Sequence, residues 1–158
     1  MIDKKILTPK FLTKEVAQFA VEQALLVIRS MAGILNRQMC HIIVLVPSRD
    51  DSGEYPNYPI EPYVLYEYSL GDDMTAWNKN YVDIAQCKAL QLWQDRNDDR
   101  TDCMPHLLFP GDTPFWGGVK RHGIVVACSG FQPHFDKMVA GMVADVCIAL
   151  SYNGTVAN

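Results

Sequence analysis

Apolar residues near the start of the chain recur at the spacing of a helix. They are Val16, Phe19, Ala20, Ala24, Val27, Ile28, Met31 and Leu35. This spacing follows the 3.6-residue period of an amphipathic helix with one buried face. Thr13 stands where an N-cap residue is favoured, and Gly33 is expected to help end the helix. The pattern therefore predicts a helix from Thr13 to Leu35.

Two strand patterns follow the first helix. His41 to Val46 is a nearly continuous aliphatic run, typical of a central strand buried on both faces. Tyr63 to Tyr68 alternates enough to form the second strand of an antiparallel pair. The segment between them, about residues 47–62, is rich in proline and tyrosine, and its prolines discourage ladder pairing. We interpret that segment as a loop inserted in one domain.

The second half of the chain predicts a helix, a hairpin of two strands and a last helix. Asn80 and Asp83 form a cap-like pair before an apolar helical face that extends to Leu92. Val119 to Ser129 has the pattern of a hairpin, and Pro133 suits the first turn of a last helix. The predicted order is α-β-β-α-β-β-α. Short hairpins predict a largely antiparallel sheet flanked by helices, an α+β fold, with residues 1–158 in one domain.

Composition and charge exclude several function classes. The chain has 158 residues, of which 49% are hydrophobic and 20% charged, and its net charge is −4. Nucleic-acid binding would require clustered lysine and arginine, and an acidic surface attracts anionic membranes weakly. No apolar run is long enough to cross a bilayer, and the first nine residues lack the apolar core of a secretory signal. Five scattered cysteines then indicate reduced thiols, so we expect a cytoplasmic protein.

Glycines 111, 117, 118 and 130 surround the predicted second hairpin. They could form the floor of a cleft in which bare N–H groups receive an acid group of a ligand. The N-terminus of the last helix, near Gln132 to His134, would add to that attraction. They could equally serve tight turns and close packing. The residues themselves leave both interpretations open.

Two histidines and a tryptophan are candidate ligand-binding residues. His134 enters the last helix two residues before Asp136 and could bind a metal or carry a proton, or be an exposed polar residue. His106 lies in a C-x-x-H spacing that can chelate zinc, but no second pair of ligands completes such a site. Trp116 could line a pocket or pack in a core or an oligomer interface.

Several motifs in order resemble those of a known family. Ala85 to Ala89 reads A-Q-C-K-A and looks like a family helix motif of the form A-x-x-K-A. Pro110 to Pro114, followed by Gly117 to Val119, resembles a glycine-rich loop and the G-G-V start of a strand. Gly123 to Gly130 resembles the strand that follows, and Asp136 falls where an acidic residue begins the last helix. The ordered set is similar to the GlcG/HbpS-like family, which includes the C-terminal domain of PduO.

The resemblance implies a profilin-like or PAS-like sandwich, frequent homo-oligomers, and binding of haem or another small ligand. The predicted first helix has no histidine, so His134 and His106 are the candidate axial ligands of a haem. Our leading hypothesis is a small-ligand-binding domain, and the residues leave open whether any chemistry follows binding. Its predicted pocket residues are Trp116, Gly117, Gly118, Val119, Ser129, Gly130, His134 and Asp136.

Two other hypotheses remain open. One is a small enzyme acting on an organic acid, with Asp112, His134 or Asp136 transferring a proton. The other is a structural or assembly subunit, whose apolar helices and tyrosines would be buried between protomers.

Overall fold

The computed structural model describes residues 8–48, 61–71, 77, 79–96 and 108–154. The helices and strands in these residues are α1 (Lys14–Ser30), β1 (Cys40–Pro47), β2 (Pro62–Leu70), α2 (Tyr81–Trp93), β3 (Gly118–Arg121), β4 (Ile124–Ser129) and α3 (Pro133–Asn153). His106 and most of the predicted proline and tyrosine loop lie outside the described residues. None of the described helices combines the length and the apolarity needed to cross a bilayer.

The four strands form an antiparallel sheet in the order β2-β1-β4-β3. β1 lies between β2 and β4, and every residue in it is buried. Its successive side chains point to opposite faces, so that Ile42 and Val44 join one core while Ile43 and Leu45 join another. The prediction of a central strand buried on both faces is confirmed.

Helices cover both faces of this sheet. α1 and α3 pack against each other and against the face that carries Ile42 and Val44. α2 covers the opposite face, beside Ile43 and Leu45. The predicted α+β class with an antiparallel sheet flanked by helices is confirmed at this level.

The prolines at the two ends of the predicted loop belong to strands. Pro47 pairs with Pro62 in the β1–β2 ladder, and the N–H of Ser48 donates to the carbonyl of Glu61 at 3.1 Å. The expectation that Pro62 would discourage pairing was wrong. In the described residues β2 is an edge strand, and an edge strand tolerates proline because one side of it needs no donor.

The beginnings of the helices agree with the cap residues predicted from the sequence. The Thr13 side chain accepts a hydrogen bond from the N–H of Val16 at 3.3 Å. The Asn80 side chain accepts one from the N–H of Asp83 at 3.1 Å. Pro133 occupies the first turn of α3, where its missing N–H is not needed.

The end of α1 differs from the prediction. The helix ends at Ser30 with Met31 as its C-cap, and not near Gly33 or Leu35. The N–H groups of Ile34 and Leu35 both donate to the carbonyl of Met31, at 2.8 and 3.0 Å. These tight turns keep apolar side chains at nearly helical spacing beyond the helix itself, which explains why periodicity overran its end.

The predicted second hairpin is confirmed, and its turn contains two residues. His122 and Gly123 both have positive φ, +52° and +72°, between Arg121 of β3 and Ile124 of β4. Two consecutive left-handed residues match the twist of antiparallel strands and allow the shortest hairpin connection. The hairpin places the end of β4, at Ser129, directly before the turn into α3.

Candidate functional site

A cleft of about 400 Å³ opens where β4 ends and α3 begins. Its apolar wall includes Tyr81 and Ile84 of α2, Phe115 of the loop before β3, and Phe131 of the turn before α3. Its polar lining contains several charged side chains. Small-molecule sites have this general form, with volumes of about 300–1,000 Å³, apolar walls and a few converging polar groups.

Two oppositely charged side chains lie at the inner end of the cleft. Lys88 of α2 and Asp136 of α3 are each 2% exposed. Lys88 Nζ donates to Asp136 Oδ2 at 3.0 Å and to the backbone carbonyl of Cys128 at 2.9 Å. Asp136 Oδ1 accepts from the backbone N–H of Phe131 at 3.0 Å. The pair therefore links the two helical layers and holds the turn that follows β4.

Burial sets the protonation behaviour of the acidic member of this pair. Burial raises the pKa of Asp136 from 3.8 to about 6, although the charge of Lys88 and its hydrogen bond act in the opposite direction. The carboxyl thus exchanges its proton close to neutral pH. Titratable groups with such pKa values, placed in a cleft, are candidates for functional roles.

Gly117 packs directly against the charged pair. Its φ is +136°, and a Cβ there would lie 2.6 Å from Asp136 Cβ and 3.0 Å from Lys88 Nζ. Gly130 has a φ of +144°, and a Cβ there would lie 2.3 Å from the carbonyl oxygen of Met39. Any side chain at either position would displace the backbone or the pair. Close packing therefore accounts for both glycines.

The other two glycines of the cluster also have local explanations. A Cβ on Gly118 would lie 2.6 Å from Leu92 Cδ1 and 2.8 Å from the carbonyl oxygen of Val126. Gly111 has a φ of +88° with open space around it, as in a surface turn. Packing and turn geometry thus account for the whole cluster, whether or not a ligand also approaches it.

Buried polar contacts fix the loop that carries Phe115. The side chain of Gln91 donates to the carbonyl of Thr113 at 3.0 Å and accepts from its N–H at 2.9 Å. Asp112 pairs with Arg96 through two hydrogen bonds. The Arg96 hydrogen bond lowers the pKa of Asp112 below its ordinary value. Asp112 therefore anchors this loop and does not line the cleft described above.

Two further cations line the mouth of the cleft. Arg37 lies in the segment between α1 and β1, donates a hydrogen bond to the Tyr81 hydroxyl, and has its guanidinium 5.3 Å from the centre of that ring. Lys79 lies just before α2, with Nζ 5.0 Å from the centre of the Phe115 ring. Both cations therefore lie beside aromatic rings of the cleft wall.

The structure brings only part of the predicted site together at this cleft. Ser129, Gly130 and Asp136 line it. The remaining described candidates, which do not line it, are Trp116, Gly117, Gly118, Val119 and His134. Trp116 instead lies under the ammonium of Lys137, 5.9 Å from the ring centre. The glycine-rich loop contributes through Phe115, one residue before the segment that was predicted.

Of the described residues that line the cleft, nine were not among the predicted site residues: Arg37, Lys79, Tyr81, Ile84, Lys88, Phe115, Phe131, Gln132 and Pro133. A signal for Lys88 was present, because a lysine among Ala85, Ala89 and Leu92 interrupts an apolar helical face. A charge on such a face needs a buried partner. Arg37 and Lys79 carry no comparable signal, since isolated cations near helix ends are usually solvated.

Three of the four histidines, His41, His122 and His134, lie in the described residues, and they form no metal cluster there. His134 is exposed in the first turn of α3, with its ring 4.6 Å from the centre of the Phe135 ring. His106, with its predicted zinc spacing, lies outside the described residues. Within the described part of the chain, no group of three or more histidine, cysteine or acidic side chains is arranged to hold a metal ion.

His41 belongs to a separate polar cluster that joins β1 to β2. Its two ring nitrogens lie 2.7 Å from Ser69 Oγ and 2.7 Å from Glu67 Oε1. Gln86 of α2 donates to the same Glu67 oxygen at 3.3 Å. These contacts satisfy both nitrogens of a buried imidazole and fix the register of the two strands.

Comparison of the chain with protein families, curated proteins and solved structures finds no match.

Proposed function

We propose that this protein binds a small organic ligand in the cleft between α2 and the N-terminus of α3. The observation that carries this proposal is a cleft of about 400 Å³ that combines aromatic walls with converging charged groups. Buried contacts fix several of its parts, including the Lys88–Asp136 pair and the loop before β3. A site whose walls are already held in place loses little conformational entropy on binding.

Amide chemical-shift mapping by NMR tests this proposal with small aromatic probes such as indole, benzamide and benzoate. We expect the largest changes at Gly130 and Phe131, because their amides adjoin the cleft. Ile84→Trp places a large ring in the cleft and should abolish the changes. Leu90→Trp is the matched control, because Leu90 lies on the same helix and is 43% exposed.

The outcome is decided by comparing the two variants. Spectra with native dispersion in both confirm that the tryptophan substitutions leave the fold intact. Loss of the shifts in Ile84→Trp alone supports binding in the cleft. Unchanged shifts in that variant, or shifts that map to another surface, contradict the proposal.

Membership of the GlcG/HbpS-like family, with a profilin-like or PAS-like sandwich, stays part of the proposal. Its support is the ordered set of motifs, together with an antiparallel sheet covered by helices on both faces. Homo-oligomer formation and a cytoplasmic location also remain predictions. Light scattering tests the first, since an oligomer has a mass that is a multiple of 17.8 kDa.

Haem binding remains a prediction, and fewer observations support it than support the binding of a smaller ligand. An axial ligand must face the cavity that holds the porphyrin, and the described candidate, His134, is exposed and does not line the cleft. Titration with haemin tests the assignment directly. A Soret shift that His134→Ala removes supports it, and no shift on addition of haemin contradicts it.

An enzyme acting on an organic acid is the second candidate function. The observation that favours it is Asp136, whose pKa is raised by burial to about 6 and whose side chain lines the cleft. Such a carboxylate could remove a proton from the carbon beside a ketone and return it. Incubation with 2-oxobutyrate in D₂O measures this as deuterium at that carbon. Exchange above a buffer blank, lost in Asp136→Asn, supports the enzyme.

A further inference from the structure

The cleft concentrates positive charge in a protein that is acidic as a whole. The chain has a net charge of −4. Among the residues that the structure describes, the charged ones lining the cleft are three cations, Arg37, Lys79 and Lys88, and one carboxylate, Asp136. Clefts lined by one sign of charge raise the local concentration of ligands of the opposite sign. The composition of this cleft therefore favours an anion.

The three cations are not equivalent. Lys88 is already engaged, because its ammonium bonds to Asp136 and to a backbone carbonyl. Within the part of the chain that the structure describes, Arg37 and Lys79 form no salt bridge with a carboxylate. Arg37 donates to the Tyr81 hydroxyl, but a guanidinium has five N–H donors in a planar fork. Donors therefore remain for an acid group of a ligand.

The aromatic rings of the cleft indicate the chemistry of the rest of the ligand. Arg37 lies beside the ring of Tyr81, and Lys79 lies beside the ring of Phe115. A ligand whose acid group contacts both cations brings its remaining atoms against these two rings and the nearby Ile84. An apolar or aromatic body would bury surface there, whereas a bare inorganic ion would not.

We infer that the ligand is a small organic anion, with its acid group at Arg37 and Lys79 and its apolar body against Tyr81 and Phe115. This inference rests on the proposed binding function and specifies its ligand class. Carboxylates and phosphates share the required chemistry, because both accept two parallel hydrogen bonds from a guanidinium.

Affinities for three probes of similar shape test the inference: benzoate, phenyl phosphate and neutral benzamide. We expect the two anions to bind at least about fivefold more tightly than benzamide at low ionic strength. The preference should shrink in high salt, because the cations at the mouth are partly solvated. Whichever anion binds more tightly identifies the acid group, and either order supports anion recognition.

Variants separate this inference from the proposed function. Arg37→Gln combined with Lys79→Gln should reduce the ratio of benzoate affinity to benzamide affinity to about one, because the apolar residues that would contact the ring of either probe are retained. Arg29→Gln is the matched control, because Arg29 is an exposed cation near the end of α1 that does not line the cleft. It should retain the full preference.

The results that would contradict the inference differ from the result that would contradict the proposed function. Equal affinity of the native protein for benzoate, phenyl phosphate and benzamide overturns the inference and leaves the proposed function standing. The inference also fails, on its own, if the double variant keeps the preference for anions while its spectrum remains that of the native fold. Absence of binding by all three probes overturns the proposed function, and the inference falls with it.

Discussion

Removal of Lys88 tests the account of the buried charged pair. Lys88→Met keeps an unbranched side chain of similar volume. It leaves the carboxyl of Asp136, which is 2% exposed, without its cationic partner. Breaking a buried ion pair by removing one partner typically destabilises a protein by about 3–5 kcal/mol. We expect a loss in this range at pH 8, where the carboxyl of the native protein is ionised.

The loss should depend on pH in a direction fixed by the pKa of Asp136. Burial raises that pKa from 3.8 to about 6, so the folded protein holds the proton more tightly than the unfolded chain. Stability of the native protein therefore falls by about 3 kcal/mol, at 1.36 kcal/mol per unit, as the pH rises from about 4 to about 6. Above that pH this contribution is constant.

In Lys88→Met the same fall should continue to higher pH. Lys88 is the largest influence that holds the pKa of Asp136 down, so its removal raises that pKa further above 6. The variant therefore keeps losing stability where the native protein no longer does. Between pH 6 and pH 8 we expect its deficit to grow by about 2 kcal/mol or more.

Urea unfolding of both proteins at several pH values measures this difference. Lys88→Met combined with Asp136→Asn is the control, because asparagine keeps an acceptor for the N–H of Phe131 and has no proton to gain. Its deficit should not change between pH 6 and pH 8. A deficit of Lys88→Met that is equally flat, or a double variant that is equally steep, would refute the assignment of the pH dependence to Asp136.

The remaining predictions concern packing, capping and the loop before β3, and urea unfolding measures each. Gly117→Ala should destabilise the protein by about 2–4 kcal/mol. Position 117 has a positive φ, and the added methyl would lie 2.6 Å from Cβ of the buried Asp136. Gly111→Ala, with positive φ but open space, should lose only about 1–2 kcal/mol; equal losses would contradict the packing argument. Thr13→Ala should lose about 1 kcal/mol through its N-cap, and no loss would contradict the capping role. Gln91→Leu should lose about 2–3 kcal/mol and speed amide exchange at Thr113, and unchanged exchange there would show that the loop is held by other contacts.

The elements of the fold were predictable because their signals are local. Thr13 and Asn80 cap their helices through bonds to residues three positions away, and Pro133 begins α3 where its missing N–H does no harm. The continuous aliphatic run of β1 indicated a strand buried on both faces. Local signals failed at two places. Tight turns after Ser30 keep apolar residues at nearly helical spacing, so periodicity placed the end of α1 too late. Pro62 pairs in the sheet because β2 is an edge strand of the described sheet.

The candidate site, in contrast, was decided by tertiary structure. Sequence reasoning placed Asp136, Ser129 and Gly130 near one another, because they are close along the chain. It could not place Lys88, which is 48 residues from Asp136 in sequence and reaches it from the opposite face of the sheet. Arg37 and Lys79 likewise acquire a role only because the packing of the elements brings them to one cleft.

The physical reason is the range of the interactions involved. Helical periodicity, capping and turn geometry depend on interactions among residues that are close along the chain, so the local sequence is enough to predict them. The register of the sheet and the packing of helices on its two faces decide which distant side chains meet. For this protein the sequence determined the helices, the strands and the class of fold. Only the tertiary structure showed that Gly117 packs against a buried ion pair, and that this pair lies in a cleft with the further cations Arg37 and Lys79.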